Sequence, residues 1–232
     1  MLAIIPARAG SKGLPEKNTK LFNGIPLILH TLKAAKRAKT ISRIIISSND
    51  EKVISVCKGI KGVDIPFKRP EYLSKDNSNV IDTFFHLFAW LKKNEKIEPK
   101  EFCVLQPTSP LRIPADIDGA INLFKKKKAD VVLSVYETKP VLWHFKLSNK
   151  NKMQAIEKSN RRMIPRQKLN NMVLQNGSVH VFKLSVLRKN KSYYLKNTYG
   201  YLMPTVRSID IDNLADFNLA EQIMKVNKYK DA

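Results

Sequence analysis

Short apolar runs alternate with stretches of helical periodicity along most of the chain, and this alternation restricts the fold more than any other feature of the sequence. Four runs are continuous, rich in β-branched residues and of strand length, as expected for strands that are buried on both faces. They are Leu2–Pro6, Arg43–Ser48, Phe102–Pro107 and Asp130–Tyr136. Because strands that alternate with helices form parallel sheets, the sequence predicts an α/β fold with a mostly parallel sheet and helices on both faces.

Three stretches between these runs repeat their apolar residues with a helical period, at residues 26–39, 80–93 and 115–128. The second is the clearest, because its apolar side chains recur every three or four positions and share one face. They are Ile81, Phe84, Phe85, Phe88 and Leu91. A fourth helix is predicted after Asn213, a typical N-cap residue, with Asp216 in its first turn.

The pattern changes after Leu147, where the chain becomes polar and weakly periodic. We interpret residues 148–175, approximately, as an insertion or arm. Strand-like runs return at Ser178–Phe182 and at Val206–Asp212. No internal repeat is visible, so the sequence predicts one domain over residues 1–232 that carries this arm.

The formal net charge of +22 is compatible with several anionic partners, including nucleic acid and nucleoside triphosphates. Only ten of the 42 basic residues are arginines, and the lysines are scattered over the whole chain. A dedicated nucleic-acid-binding protein would more often cluster its basic and aromatic residues. We therefore expect no nucleic-acid partner, although charge alone leaves a lysine-rich composition and a polyanionic ligand both open.

Neither a membrane nor an oxidising compartment is indicated by the sequence. No apolar run approaches the roughly 18 residues of a membrane helix, and the first apolar residues are too few for a secretory signal. Cys57 and Cys103 lie in separate segments without a metal-binding spacing, as expected of buried thiols in a reducing cytosol. We therefore expect a cytoplasmic protein with no membrane partner.

The loop from Ala7 to Asn18 follows the first predicted strand and reads ARAGSKGLPEKN. Two glycines allow backbone N–H groups to point inward and three cations add positive charge, a combination that suits a triphosphate. They are Gly10, Gly13, Arg8, Lys12 and Lys17. The loop matches neither the Walker A motif nor the dinucleotide-binding glycine motif, and its composition fits a surface turn equally well. Its position at the carboxyl end of a strand favours the phosphate site.

Asp210 and Asp212 lie at the end of the last predicted strand. Since side chains alternate across a strand, the two carboxylates are predicted to share a face, where they repel each other unless a cation lies between them. Mg²⁺ would fit, because it typically binds one or two carboxylates together with substrate phosphates. Taken alone, the pair could also be a solvated strand end, but a phosphate loop beside it favours the metal.

The segment LQPTSPLR follows the predicted strand at Phe102, and its two prolines fix the turn. Gln106 would stand at the carboxyl end of that strand, where its amide can form hydrogen bonds with a ligand. Arg112 is predicted to lie on the surface of a rigid connection.

Other polar residues give weaker signals. Arg161, Arg162 and Arg166 could hold a carboxylate by bidentate contacts or could be solvated. The Asn176–Gly177 pair indicates a turn first and a ligand contact second. The histidines show no metal-binding spacing and are interpreted as packing or surface residues; they are His30, His86, His144 and His180.

Several of these motifs together resemble one family. IPARAGSKGLPEKN, LQPTSPLR, QNGSVHVF and SIDIDNLADF occur in the order found in acylneuraminate cytidylyltransferases, the CMP-sialic acid synthetases, and the resemblance extends from Leu2 to about Ile223. The family includes enzymes for the related legionaminic and pseudaminic acids. The resemblance implies a Rossmann-like fold of the nucleotide-sugar transferase type, with a protruding dimerisation arm and therefore a homodimer.

In this family the anomeric hydroxyl of the sugar attacks the α-phosphorus of CTP, pyrophosphate leaves, and Mg²⁺ assists. Carried over by motif, the resemblance implies a catalytic group of Arg8, Lys17 and Asp210, and a metal site at Asp210 and Asp212. It implies nucleotide contacts from Ala7, Arg8, Ser11, Lys12, Lys17, Asn18 and Arg69. It implies sugar contacts from Gln106, Arg166 and Asn176.

The chain departs from the usual pattern of the family mainly on the sugar side. Leu174 and Gln175 precede the Asn-Gly pair where an arginine is frequent, and His180 stands where a tyrosine is common. Val80 also replaces a small polar residue near the base. Deoxyoctulosonate as the sugar and GTP as the donor therefore stay open, and more distant alternatives are a nucleic-acid-binding protein and an inactive homologue.

Overall fold

A computed structural model gives the fold and describes residues 1–156, 165 and 172–227. Within these residues the helices are α1 (Leu27–Arg37), α2 (Glu51–Cys57), α3 (Val80–Glu95), α4 (Pro114–Lys127), α5 (Leu184–Asn190) and α6 (Leu214–Asn227). The strands there are β1 (Leu2–Pro6), β2 (Leu21–Phe22), β3 (Ile25–Pro26), β4 (Arg43–Ser47), β5 (Val63–Asp64), β6 (Glu101–Leu105), β7 (Val131–Thr138), β8 (Phe145–Leu147), β9 (Met153–Ala155), β10 (Met172–Lys183) and β11 (Thr198–Leu202).

The central sheet has the order β11-β7-β10-β6-β1-β4-β5 within the described part of the chain. Its neighbouring strands are parallel except at β10, which is antiparallel to both β6 and β7. The prediction of a mostly parallel sheet is therefore confirmed. The carboxyl ends of β1, β4 and β6 meet at one edge, which is where ligands of such sheets bind.

Helices cover both faces of this sheet, as predicted. One apolar cluster packs α1, α2 and α4 against the alternate residues Ala3 and Ile5 of β1. The other packs α3 and α5 against the opposite face, which includes Ile4. The predicted apolar face of α3 is confirmed, since Ile81, Phe84, Phe88 and Leu91 are buried in this second cluster. None of the described helices combines the length and apolar character needed to cross a bilayer.

Two expectations about the later strands need correction. Val206–Asp212 is not a strand: Thr205–Arg207 is a 3-10 helix, and residues 208–212 have no regular secondary structure. The strand predicted at Ser178–Phe182 is present but begins earlier, at Met172, where its first residues pair with the end of β7.

Half of the predicted arm lies outside the described residues, so the arm stays a prediction. Its described part includes β9, which pairs with β8 as a short antiparallel hairpin. The first residues of β10 also fall within the predicted range of 148–175.

Candidate active site

The glycine loop and the segment that carries the two aspartates pack directly against each other, although they come from opposite ends of the chain. Leu14 of the loop and Ile211, between the aspartates, belong to the same apolar cluster. Lys17 Nζ donates a hydrogen bond to the carbonyl oxygen of Ile211 at 2.5 Å and lies 3.6 Å from Asp212 Oδ1. The structure therefore brings the predicted phosphate loop and the predicted metal pair into one site.

Gly13 is the point of closest approach between the two segments. A Cβ atom added there would lie 2.2 Å from the carbonyl oxygen of Asp212, a separation that side-chain carbon atoms do not adopt. The sequence needs glycine here because two backbones meet.

Replacing Gly13 with alanine should therefore push the loop away from Asp212. We expect a loss of roughly 100-fold in kcat/KM, because misplacement of a positioning group by about 1 Å has that effect. Steady-state kinetics would measure the loss. Gly10→Ala is a matched control, since nothing lies within 4 Å of the added atom, although its positive φ of 76° adds local strain. Equal losses in the two variants would contradict the importance of the contact.

The cationic residues predicted to bind the nucleotide surround a cleft of about 430 Å³. Its lining includes the predicted residues Arg8, Ser11, Lys12, Lys17, Asn18, Arg69, Gln106 and Asp212. Ala7 is buried at the base of the loop, where its N–H donates to the carbonyl oxygen of Ser47 at 2.9 Å. Asn18 fixes the loop from inside, because its side-chain amide donates to the carbonyl oxygen of Arg8 at 3.2 Å.

Arg69 is a buried cation beside the loop. Its Nε donates to Ser47 Oγ at 3.0 Å, and its Nη2 donates to the carbonyl oxygen of the same residue. Burial, together with the charge of Arg8, lowers the pKa of Arg69 to about 10, so the guanidinium is still charged at neutral pH. Because no carboxylate in the described part of the chain forms an ion pair with it, this charge is available to an anionic ligand.

The two aspartates have different surroundings. Asp210 is half-buried, and its Oδ1 has no hydrogen-bond partner among the described residues, whereas the side chain of Asp212 is 79% exposed. Burial raises the pKa of the Asp210 carboxyl against a hydrogen bond from Thr108, and the negative charge of Asp212 raises it further. A buried, unpartnered carboxylate oxygen next to a second carboxylate fits a cation. The two aspartates do not lie on a strand, however, so the alternation of side chains along a strand was the wrong reason to predict a metal site.

The side chains of Gln106 and Asp210 both lie against Gly177, and Gln106 also lines the cleft. A Cβ atom at Gly177 would lie 2.7 Å from Gln106 Oε1 and 3.3 Å from Asp210 Oδ2. Gly177 has a φ of 67°, and the register of β10 shifts between Gln175 and His180. The Asn-Gly pair therefore forms a bulge within a strand, and the predicted turn is wrong.

Asn176 is a buried hydrogen-bonding centre next to this bulge. Its Oδ1 accepts from Ser134 Oγ and from the N–H of Ser178, and its Nδ2 donates to Ser208 Oγ and Met203 Sδ, at 2.5 to 3.4 Å. The amide thus ties β7, β10 and the segment before the aspartates together. Its contact with a sugar stays a prediction, as does that of Arg166, which lies outside the described residues.

Arg112 is buried, so its predicted position on the surface is wrong. Its Nη1 donates to the carbonyl oxygen of Ser178, and its Nη2 donates to Thr31 Oγ1 at 2.7 Å and to the carbonyl oxygen of Gln106 at 3.1 Å. Burial lowers the pKa of Arg112 to about 10. The guanidinium therefore links α1, the end of β6 and β10.

Several residues of the cleft were not singled out by sequence reasoning. Leu73, Lys75, Asp76, Ser78 and Thr83 line it from the turn before α3 and from the first turn of that helix. The first four lie in the segment RPEYLSKDNS, which resembles a weaker motif of the family, and this resemblance is the signal that could have indicated them, whereas nothing indicated Thr83. No group of three or more potential metal-binding acidic, histidine or cysteine side chains occurs in the described ranges, so phosphates would have to complete a metal site there.

Comparisons with known proteins identify the family of the chain. A model of the family described as Cytidylyltransferase matches residues 2–229. CMP-N,N'-diacetyllegionaminic acid synthase of Legionella pneumophila is 34% identical over 230 residues, covering 98% of this chain and 97% of that protein. N-acylneuraminate cytidylyltransferase of Streptococcus agalactiae is 32% identical over 223 residues, covering 93% of this chain but 51% of its own length, so this chain spans about half of it.

A solved structure supports the fold. CMP:2-keto-3-deoxy-manno-octonic acid synthetase complexed with CTP superposes with a TM-score of 0.68 over 97% of this chain and 98% of that one, at 15% sequence identity. At that identity the likeness concerns the fold alone, whereas the family match covers almost the whole sequence. The chain belongs to the cytidylyltransferase family of nucleotidyltransferase enzymes.

Proposed function

We propose that this enzyme transfers CMP from CTP to an acidic nine-carbon α-keto sugar and releases pyrophosphate. The observation that carries the proposal is the packing of the cationic glycine loop against the segment of the two aspartates, of which Asp212 lines the same cleft as the loop. Among the named relatives, the Legionella protein favours a sugar of the legionaminic acid type. Because CTP is available in the cytoplasm, we place the reaction there.

Within this proposal, Arg8, Ser11, Lys12 and Lys17 bind the triphosphate through charge and hydrogen bonds. Asn18, Arg69 and the backbone at Ala7 hold the nucleoside. Arg8 and Lys17 stabilise the negative charge that grows on the phosphates as the bond to pyrophosphate breaks. Gln106, Asn176 and Arg166 would serve the sugar, and Gln106 lines the cleft.

The residues present fit a divalent metal ion, and Mg²⁺ is our proposal for it. Asp210 offers a buried oxygen without a partner in the described part of the chain, and Asp212 offers an exposed carboxylate next to it. Hard oxygen ligands of this kind suit Mg²⁺, which leaves its other positions to phosphates and water. When bound, the ion would neutralise phosphate charge and act as a Lewis acid. Asp210 is our candidate for the group that takes the proton of the sugar hydroxyl.

Release of pyrophosphate from CTP tests the proposal most directly. The assay would compare legionaminic, pseudaminic and sialic acids with deoxyoctulosonate, each with CTP and with GTP, and with or without Mg²⁺. We expect turnover with CTP, Mg²⁺ and a nine-carbon acid. Turnover only with deoxyoctulosonate or GTP would correct the substrate, and no pyrophosphate release with any pair would contradict the proposal.

We further propose that the enzyme is a homodimer. Exposed apolar side chains occur on the β8–β9 hairpin and on the first residues of β10, and such residues are typical of protein interfaces. Leu147, Met153, Val173 and Leu174 are each more than half exposed.

Sedimentation velocity should therefore show a species of about twice the 26.5 kDa chain mass. Leu174→Asp should shift this species towards the monomer, because it places a charge in an apolar contact. Leu219→Asp on α6 is the control, since Leu219 is exposed to a similar extent, 54% against 51%. A wild-type protein that sediments as a monomer at micromolar concentration would contradict the dimer.

A further inference from the structure

The carboxylate of Asp76 lies between two cations of the glycine loop. Its Oδ1 is 2.8 Å from Arg8 Nη2, and its Oδ2 is 2.6 Å from Lys12 Nζ. Arg8 also donates through Nη1 to the carbonyl oxygen of Ser74 at 3.3 Å. Both oxygens of one acidic side chain are thus used to neutralise the two cations that we assign to the triphosphate.

Asp76 belongs to the cleft and not to the core. It lies in the turn between the 3-10 helix Glu71–Leu73 and α3, and this turn is closed by a hydrogen bond from the N–H of Ser78 to the carbonyl oxygen of Lys75 at 3.0 Å. The side chain is 45% exposed and forms part of the cleft lining. The carboxylate can therefore leave its position without disturbing a packed side chain.

The two ion pairs have the geometry of contacts that a phosphate oxygen would make. Distances of 2.6 and 2.8 Å are those of charge-assisted hydrogen bonds between a cation and a carboxylate or phosphate. Arg8 and Lys12 form no ion pair with any other carboxylate in the described ranges of the chain. A phosphate group and Asp76 would therefore compete for the same N–H donors.

We propose that Asp76 sets the affinity of this enzyme for its nucleotide by acting as a built-in competitor for the phosphate site. This inference rests on the proposed function, in which the glycine loop binds a triphosphate. An anion of low charge gains little binding free energy when it replaces the Asp76 carboxylate, because one negative charge is exchanged for another. A polyphosphate carries more negative charge than the carboxylate that it displaces and therefore still binds. Asp76 therefore favours polyphosphates over smaller anions and, by returning to Arg8 and Lys12, promotes the release of pyrophosphate.

Asp76→Asn tests the inference, because it keeps the shape of the side chain and removes its charge. Titration calorimetry at fixed ionic strength would measure the Kd of CTP and of pyrophosphate for wild type and variant. We expect each Kd to fall by about three- to tenfold, since exposed ion pairs have modest energies. The KM for CTP should fall by a similar factor, whereas Asp76→Glu, which retains the charge, should stay closer to wild type.

Glu98→Gln is the matched control for the change in net charge. Glu98 also contacts two cations, Arg188 at 2.7 Å and Lys92 at 3.6 Å, and its side chain is 36% exposed. It precedes β6 and so lies at the edge of the sheet opposite the cleft. This variant should keep the wild-type Kd of both ligands within about twofold, as expected of a surface charge beyond the range of strong interaction.

The outcomes separate this inference from the proposed function. Unchanged binding by Asp76→Asn would overturn the competitor role alone, and weaker binding would overturn it in favour of a residue that holds the ligand complex. If the wild type binds neither CTP nor pyrophosphate and releases none, the proposed function fails and the inference fails with it. Tighter binding in Asp76→Asn but not in Glu98→Gln would support the inference.

Discussion

Replacing Asp210 with asparagine should remove most of the activity and leave the folded protein at least as stable as the wild type. The carboxylate is half-buried, one of its oxygens has no partner among the described residues, and burial raises its pKa. Thr108 and Lys17 offset the cost of burying this charge only in part, so its neutralisation is favourable, or neutral at worst. In the proposed function, the same negative charge would bind the metal ion that accompanies the triphosphate.

We expect kcat/KM in the pyrophosphate assay to fall by roughly three orders of magnitude, because preorganised charge stabilisation is lost. The urea midpoint of unfolding should stay the same or rise. Asp118→Asn on α4 should show the opposite pattern. Its carboxylate accepts from the N–H groups of Lys39 and Thr40 and from the Thr40 hydroxyl, at 2.6 to 3.1 Å, and it lies away from the cleft.

This pair of variants distinguishes a functional carboxylate from a structural one. Asp118→Asn should lower the urea midpoint while kcat/KM stays near wild type. If Asp210→Asn keeps its activity within about tenfold, the proposed metal site is wrong. If it unfolds more easily than Asp118→Asn, the buried charge has a partner that the structure does not show.

Periodicity was sufficient to predict the sheet and its helices, because both faces of the sheet are buried by regular apolar patterns. Leu2–Pro6 was predicted to the residue, and the face of α3 followed from the spacing between Ile81 and Leu91. Among the strands of the central sheet and the helices that cover it, α2, α5, β5 and β11 were not predicted. β11 is only five residues long, lies at the edge of the sheet and contains Gly200, so its apolar signal is weak.

The candidate site was predictable where residue type alone limits the chemistry. Glycines next to cations, and two neighbouring aspartates, indicated phosphate and metal without knowledge of their contacts. Arg112 could not be placed from the sequence, because its burial depends on the hydrogen bonds that it donates to Thr31 Oγ1 and to the carbonyl oxygens of Gln106 and Ser178. The pattern of its own segment does not specify these partners. The sequence of a proline-rich turn is compatible with an arginine that points either to solvent or into the protein.

The Asn176–Gly177 pair and Asp76 illustrate the same limit. The pair favours a turn locally, yet tertiary contacts keep it within β10 as a bulge, where Gln106 occupies the space beside the missing Cβ atom of Gly177. Asp76 is an ordinary loop residue until its distances to Arg8 and Lys12 are known. The positions of these residues are therefore determined by contacts between segments that are distant in sequence, and local sequence patterns do not specify such contacts.

His180 should make the folded protein sensitive to mild acid. It lies on β10 between Val104 and Leu133 of the neighbouring strands, next to the rings of Phe182 and Tyr193, and neither ring nitrogen has a partner in the described part of the chain. Burial, aided by the positive charge of Arg112, lowers the pKa of His180 to about 4. The native state therefore excludes a proton that the unfolded chain accepts at an ordinary pKa of about 6.5.

Because the unfolded state binds more protons between these two values, the free energy of unfolding falls as the pH drops from 6.5 towards 4. The contribution of this residue is about 2 kcal/mol by pH 5 and about 3 kcal/mol by pH 4. His180→Leu, in which the new side chain is close in volume, should remove this part of the pH dependence of the unfolding free energy. Above pH 6.5 the unfolding free energies of the two proteins should change in parallel. Urea unfolding at intervals between pH 7.5 and 4.5 would measure the difference. Parallel curves over the whole range would mean that His180 has a partner for its proton in the native state.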